Sequence, residues 1–502
     1  MYTSFFETRA NQSSRLILAS LLTCLLVGCS SGSSNPSAAP ELPQAKPETG
    51  IWTSQAYGLT VDIKDTDFTF YQFTSEYCQT YPIKNLLNIG FDSFIENTDL
   101  SVDGSSLVTT FAGWKVPGIT MEKQGQLPLH CIDNIVLSSD EASYEFDPRQ
   151  DFEIFWAAFN ELYAFFALEG VNWAEIYEEA SVEVTDATNE EELFGLFAQM
   201  ITLFKDFHVT ISNSALDYDY DSPSKKPDLE TIVLVEYLAI NELESISTES
   251  EMSELDDYFE LQKDIMLSVA IDQVAEGEDI QSNDSETIFW ARVNGNIGYL
   301  LIETMDDNEI GGSDLIDENL AILASTFDQI IADLTGIEGL VIDVRNNNGG
   351  DDFVSQYMAS RLTGQSYSAY GKQARLGAVR TPLQLVSIEV KGDSQYDGPI
   401  AVLSSMSTSS AAEVFTLIMR ERVNSVIIGE PGAGGFSDQL IRVLPSGTVY
   451  TLSNEYYTSV AGEEFEGLGV PVDIEVPYFT REQRENEQDL GLDAALEWLM
   501  DF

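Results

Sequence analysis

From residue 288 onward, short apolar β-type runs alternate with segments of helical spacing, and that alternation restricts this part of the chain to an α/β architecture. The strands read "IGYLLIET", "GLVIDVR", "IAVLSS" and "SVIIGE"; the helices fall at 314–334, 351–363 and 410–421. The α/β unit is placed at 287–480, followed by a C-terminal helix over 481–502. No long internal repeat and no dinucleotide fingerprint appears.

Ahead of that unit the pattern changes twice. Residues 49–140 hold short alternating runs, "LTVDI", "FTFYQF", "SLVTTF" and "NIVLSS", and predict a separate small β domain. Residues 145–213 predict a helical subdomain. It opens with "DFEIFWAAFNELYAFFAL" (151–168) and contains a capping box at Thr188-Asn189-Glu190-Glu191, in which the Thr oxygen takes an early backbone N–H. Phe194, Phe197, Ile201 and Phe204 then form one stripe and are expected in the core. Residues 214–286 read as an acidic insertion: between 216 and 286 there are 21 Asp and Glu against three Lys.

Charge narrows the partners. The 502 residues include 84 Asp and Glu against 24 Lys and Arg, a formal net charge of -60. Such a surface argues against nucleic acid or anionic lipid and fits a heavily solvated exterior.

The N-terminus has the pattern of a processing segment. Arg9 and Arg15 precede the apolar run "LILASLLTCLLVGC" (16–29), and a Ser/Pro-rich tract follows. The ending Leu26-Val27-Gly28-Cys29 resembles the lipobox of bacterial lipoproteins. The resemblance implies a signal peptide over 1–28, lipidation of Cys29 and a tether over 29–48. It also implies a lipid-anchored place in the bacterial cell envelope, with Ser30 pointing to the outer membrane. With Cys24 removed and Cys29 lipidated, Cys78 and Cys131 remain as a disulfide candidate, which export permits.

Three stretches could carry chemistry. In "SSMSTSSAAEVFTLIM" (404–419), Ser410 stands between an apolar strand and a helix, where free N–H groups favour a developing oxyanion. The same stretch also reads as a plain Ser N-cap. "GLVIDVRNNNGGDDF" (339–353) ends a strand in Arg345 and offers the bare amides of Gly349 and Gly350. "LFKDFHVTI" (203–211) holds His208, one of only two histidines and the natural base for Ser410. The other, His130 in "HCID", lacks metal-ligand partners, and no metal or organic cofactor is expected.

In order, "KDFHV", "GLVIDVRNNNGG", "SSMSTSSAAE", "VIIGEPGAGG", "LPSGTVYTLS" and "EFEGLGVPVDIEV" resemble the C-terminal-processing (tail-specific) serine peptidase family over about 150–480. One branch of that family places a Lys base shortly after "GEP", and Gly435 stands there instead. Asp206-Phe207-His208 is similar to the D-G-H motif of the tricorn-like branch, with Phe for Gly. The resemblance implies a crotonase-like (ββα) peptidase core, a peptide or protein substrate, Ser410 as nucleophile and His208 as base. It further implies Glu466 as the acid, and Gly349, Gly350 and Ala411 as backbone oxyanion donors. In the tricorn type that acid acts through a Ser preceding the His, a position held by Phe207. Thr210 and Ser212 are the nearby hydroxyls that could replace it, or Glu466 could orient His208 directly. Asp343 and Arg345 are expected to fix the strand end. The alternative from another class is a catalytically inactive lipoprotein of the same fold that binds a hydrophobic ligand or peptide. An esterase would need a G-x-S-x-G elbow, absent around Ser410.

Overall fold

The computed structural model describes residues 47–82, 89–110, 116–226, 229–273, 279–313 and 315–502. The expected signal segment, Cys29 and nearly all of the tether lie outside the described residues, as does the end of "SLVTTF".

The N-terminal alternation folds as an eight-stranded sheet around an antiparallel meander of Gly50–Ser54, Leu59–Ile63, Phe68–Phe73 and Cys78–Thr80. Its period-2 pattern turns Trp52, Val61 and Phe70 to one face. That face shares one apolar core with Phe155 and Phe197 of the helical segment and with Leu440 and Tyr450 far downstream. Arg442, 2% exposed, crosses the boundary and donates to the carbonyls of Gly58 (3.1 Å) and Phe73 (3.2 Å). Cys78 and Cys131 form a disulfide that ties the meander to the Leu129–Asp133 helix.

The helical segment consists of Pro148–Leu162, Phe166–Glu169, Trp173–Ala180 and Glu190–Ile201. Phe194, Phe197, Ile201 and Phe204 are all buried. The capping box sits one residue later than the sequence suggests. Asn189 Oδ1 accepts from Glu192 N at 2.9 Å, and the Glu192 carboxylate accepts from Asn189 N at 3.1 Å. Thr188 is absent from the cap because its hydroxyl accepts from Thr185 N (2.9 Å) in the preceding turn. The acidic stretch contains two helices, Leu229–Ile240 and Glu249–Asp272, which pack Val233 and Met266 against Phe479. The C-terminal segment is two helices, Arg481–Glu485 and Leu490–Met500, where one was expected. Asp489 breaks it, capping the second by accepting from Leu492 N at 2.9 Å.

The α/β unit is a seven-stranded sheet. From Ile297–Ile302 it runs parallel through Gly339–Asp343, Ile400–Ser404, Ser425–Gly429 and Ile474–Glu475. Parallel neighbours need crossovers, supplied here by helices Ile316–Asp333, Asp352–Arg361 and Ala411–Arg420. Every residue of Gly339–Asp343 and Ile400–Ser404 is buried, as central strands covered on both faces require. A second, antiparallel sheet pairs Thr210–Asn213 with Val449–Ser453, setting Ile211 opposite Tyr450. The two sheets deliver His208 and Ser410 to one place.

Candidate active site

The Ser-rich loop divides its hydroxyls between tying and display. Ser404 Oγ donates to Glu430 O (3.0 Å), Ser405 Oγ to Arg345 O (2.5 Å), Thr408 Oγ1 to Val344 O (2.8 Å) and Ser409 Oγ to Asn348 O (2.9 Å). The last three bonds lock the loop onto the segment that leads into and forms the neighbouring Asn-rich loop, and the first ties it to the strand end at Glu430. Ser410 differs. Its Oγ lies 3.0 Å from His208 Nε2, and its side chain makes no capping bond to the helix that follows. An ordinary N-cap serine has extended backbone angles, whereas Ser410 has φ 52° and ψ -128°. A non-glycine residue held there costs about 1–3 kcal/mol and persists only where its surroundings enforce it.

His208 is buried and held through its backbone. Its N–H donates to Asp206 Oδ1 (3.1 Å), and its carbonyl accepts from Thr451 Oγ1 (2.7 Å). Tyr163 Oη donates to Asp206 Oδ2 (3.1 Å). Burial raises the Asp206 carboxyl, and the His208 charge is the strongest influence pulling it back down. Asp206 is thus a carboxylate that a His208 imidazolium would stabilise, and that its negative charge would stabilise in turn. Sequence reading quoted Asp206 within its motif and gave it no role. Its signal was an acid two residues before the histidine, inside a stretch expected to be buried.

Glu466 lies one step further back. Its Oε2 accepts from the amides of Phe436 (3.1 Å) and Ser437 (3.3 Å). Burial and then the charge of Asp206 push its carboxyl well above the usual range. Neither proposed relay hydroxyl has that role: Thr210 Oγ1 pairs with Thr451 Oγ1 at 2.8 Å, and Ser212 is exposed in the antiparallel sheet.

Of the three oxyanion candidates, Gly349 has its amide already engaged. Its amide donates to Asn347 Oδ1 at 2.9 Å. No acceptor among the described residues takes the amides of Gly350 and Ala411, so these two remain available. Gly349 has a different duty: at φ 104°, a Cβ on it would lie 2.5 Å from Ser410 Cβ and 3.0 Å from Ala411 N. Only glycine lets the two loops meet.

A third turn completes the enclosure. Ser410 N donates to Gly435 O (3.0 Å), and the buried Glu413 accepts from the amides of Gly434 (2.6 Å) and Gly435 (2.9 Å) through one oxygen. Phe207, its ring centroid 4.5 Å from that of His208, packs on Gly435, where a Cβ would come within 2.4 Å of the ring. Phe207 and Gly435 thus occupy complementary space, which explains how Phe fits before the histidine. Beyond them a small depression is lined by Phe165, Leu168, Lys205, Lys225 and Gly467. Away from the reacting atoms, Arg345 chelates Asp489 (2.7 Å to each oxygen), bonds Asp343 (2.6 Å) and stacks on Tyr478, a structural cluster.

The chain is similar to known proteins in two segments. Residues 296–476 match the model of peptidase family S41, and residues 144–202 match the tricorn protease C1 domain. A carboxy-terminal-processing protease of Bartonella bacilliformis is 28% identical over 207 residues, which cover 41% of this chain and 43% of that protein. The matched part thus spans less than half of that relative's length. A crystal structure of a Parabacteroides merdae protein superposes with a TM-score of 0.51 at 22% identity, over 71% of this chain and 97% of that one, and so shares the fold. Mature CPAF gives a TM-score of 0.47 at 15% identity, over 70% and 95%. The chain carries a peptidase family S41 domain over 296–476, preceded by a tricorn protease C1 domain over 144–202.

Proposed function

We propose that this chain is a serine peptidase in which Ser410 and His208 form the reacting pair. The observation that carries the reading is the 3.0 Å approach of His208 Nε2 to an Oγ presented on a strained turn at a helix N-terminus. His208 takes the Ser410 proton as Oγ attacks a peptide carbonyl. The amides of Gly350 and Ala411 receive the oxygen as it gains charge; one such donor is worth about 3–4 kcal/mol. Asp206 balances the imidazolium, which then protonates the leaving amine, and water releases the acyl-enzyme by the same route. Glu466 fixes the 436–437 backbone behind them. By likeness to the Bartonella protein, we place the cuts near substrate C-termini. The lipobox supports an envelope location anchored through Cys29; no described helix is long and apolar enough to cross a membrane.

The test is fluorophosphonate labelling of the purified chain beside Ser410→Ala and His208→Ala. Labelling of the parent that both substitutions abolish supports the reading. A folded parent that stays unlabelled from pH 6 to 9 overturns it in favour of a ligand-binding lipoprotein. For the anchor, Cys29→Ser should move the protein from the detergent phase to the aqueous phase. An unchanged partition would count against lipidation.

A further inference from the structure

The N-terminal sheet reaches the reactive site through a buried set of charges. Lys372, on the Tyr367–Leu376 strand, is 2% exposed. Its Nζ lies 3.2 Å from Asp438 Oδ2 and 3.0 Å from Glu455 Oε2, and 4.8 Å above the Tyr457 ring. Tyr457 Oη donates to Asp352 Oδ2 at 2.7 Å. Two of the remaining partners come from the turns that connect strands of the N-terminal sheet. Val116 offers its carbonyl to Lys372 Nζ at 3.1 Å, and Tyr57 Oη donates to Glu455 Oε1 at 2.5 Å.

Each carboxylate of this cluster sits beside a reactive element. Asp352 opens the helix two residues after Gly350. Asp438 ends the segment whose Gly435 carbonyl receives Ser410 N and whose Ser437 amide holds Glu466. Glu455 N donates to Ser437 Oγ at 3.1 Å, closing the path. Among the described residues, two buried carboxylates and the partly exposed Asp438 surround the Lys372 ammonium, and hydrogen-bond donors to such a cluster matter more than they would in water. Burial raises the Asp352 carboxyl to about 7; the Lys372 charge lowers it and the Asp438 charge raises it again.

We infer that the N-terminal sheet is a working part of the reactive site: Tyr57 and Val116 complete the shell of the Lys372 cluster, and Tyr57 is a positioning residue for Ser410 and the oxyanion loop. The inference rests on the serine peptidase reading for its kinetic consequence. Its structural consequence stands without it.

Tyr81 supplies the control. It also lies in the N-terminal sheet region, and its Oη also donates across the boundary, to Ile441 O at 2.7 Å, with no link to Lys372. Tyr57→Phe and Tyr81→Phe each delete one hydroxyl of the same kind. The full chain and both variants are compared by melting, by fluorophosphonate labelling rate and by backbone hydrogen exchange over 350–355 and 435–438. The expected result is that Tyr57→Phe labels about tenfold more slowly, with faster exchange in both segments, while Tyr81→Phe keeps the parent rate despite a similar loss in melting temperature. Equal labelling rates in the two folded variants would overturn the inference. Should the parent itself not label, the peptidase reading fails, and exchange alone decides. Faster exchange in Tyr57→Phe than in Tyr81→Phe supports the link, and equal exchange sinks it.

Discussion

Gly435 and Phe207 show how one site accommodates an unusual residue by giving up another. Phe207 flanks the histidine ring, and its tip fills the space that a Cβ at 435 would need. Replacing Gly435 by Ala should force that ring aside and disturb His208. Overpacking of this kind costs about 1–3 kcal/mol, which corresponds to roughly tenfold in labelling rate. Adding Phe207→Ala in the same chain should recover most of the loss. Equal rates for the parent and Gly435→Ala would show that the contact does not position His208. Single residues were also where sequence reading reached its limit. Ser410 and His208, which the structure brings within 3.0 Å, were named from their motifs, but Asp206 and Glu413 were passed over, because an acid's burial depends on partners supplied by distant segments. The choice between the amides of Gly349 and Gly350 was not legible in the sequence, because it turns on Asn347, whose Oδ1 accepts from Gly349 N.

Among the elements, the C-terminal helix Leu490–Met500 depends on one ion cluster. Arg345 is enclosed between Asp343 and Asp489, at the seam between that helix and the parallel sheet. Arg345→Met should strand two buried carboxylates and cost about 3–5 kcal/mol, read as a marked fall in melting temperature. A change within a degree or two would show the cluster to be incidental. Burial alone would raise the Asp489 carboxyl, but Arg345 outweighs it and holds the group below its usual range. Its stabilisation is therefore present above the ordinary carboxylate range and is lost as acid titrates the folded form. The parallel strands were legible because burial on both faces writes an unbroken apolar run. The two helices of the acidic stretch were not, since their apolar contacts are few and one of them, Phe479, lies more than two hundred residues downstream.

At the scale of the whole molecule, acidity and burial pull stability in one direction. Burial raises Asp151 and Asp352 to about 7, and Asp351 and Glu413 to about 8. For these groups the folded state holds protons that the unfolded chain has already released, so stability falls as pH rises from about 4 to 8. The net charge of -60 adds self-repulsion that salt screens. The melting temperature should therefore decline from pH 5 to pH 8.5, and added salt should recover part of the loss. A flat profile would mean that these carboxyls keep solvent contact. The antiparallel sheet also sets the order in which the paired side chains come together during synthesis. Ser410 and His208 stand 202 positions apart, and the strand that receives the histidine segment, Val449–Ser453, is synthesised after both. A chain cut short before Val449 contains both side chains yet lacks the strand that pairs with Thr210–Asn213 beside His208, so on the peptidase reading such a truncated product should not label with a fluorophosphonate, and labelling equal to the parent's would show that this ladder does not align the histidine.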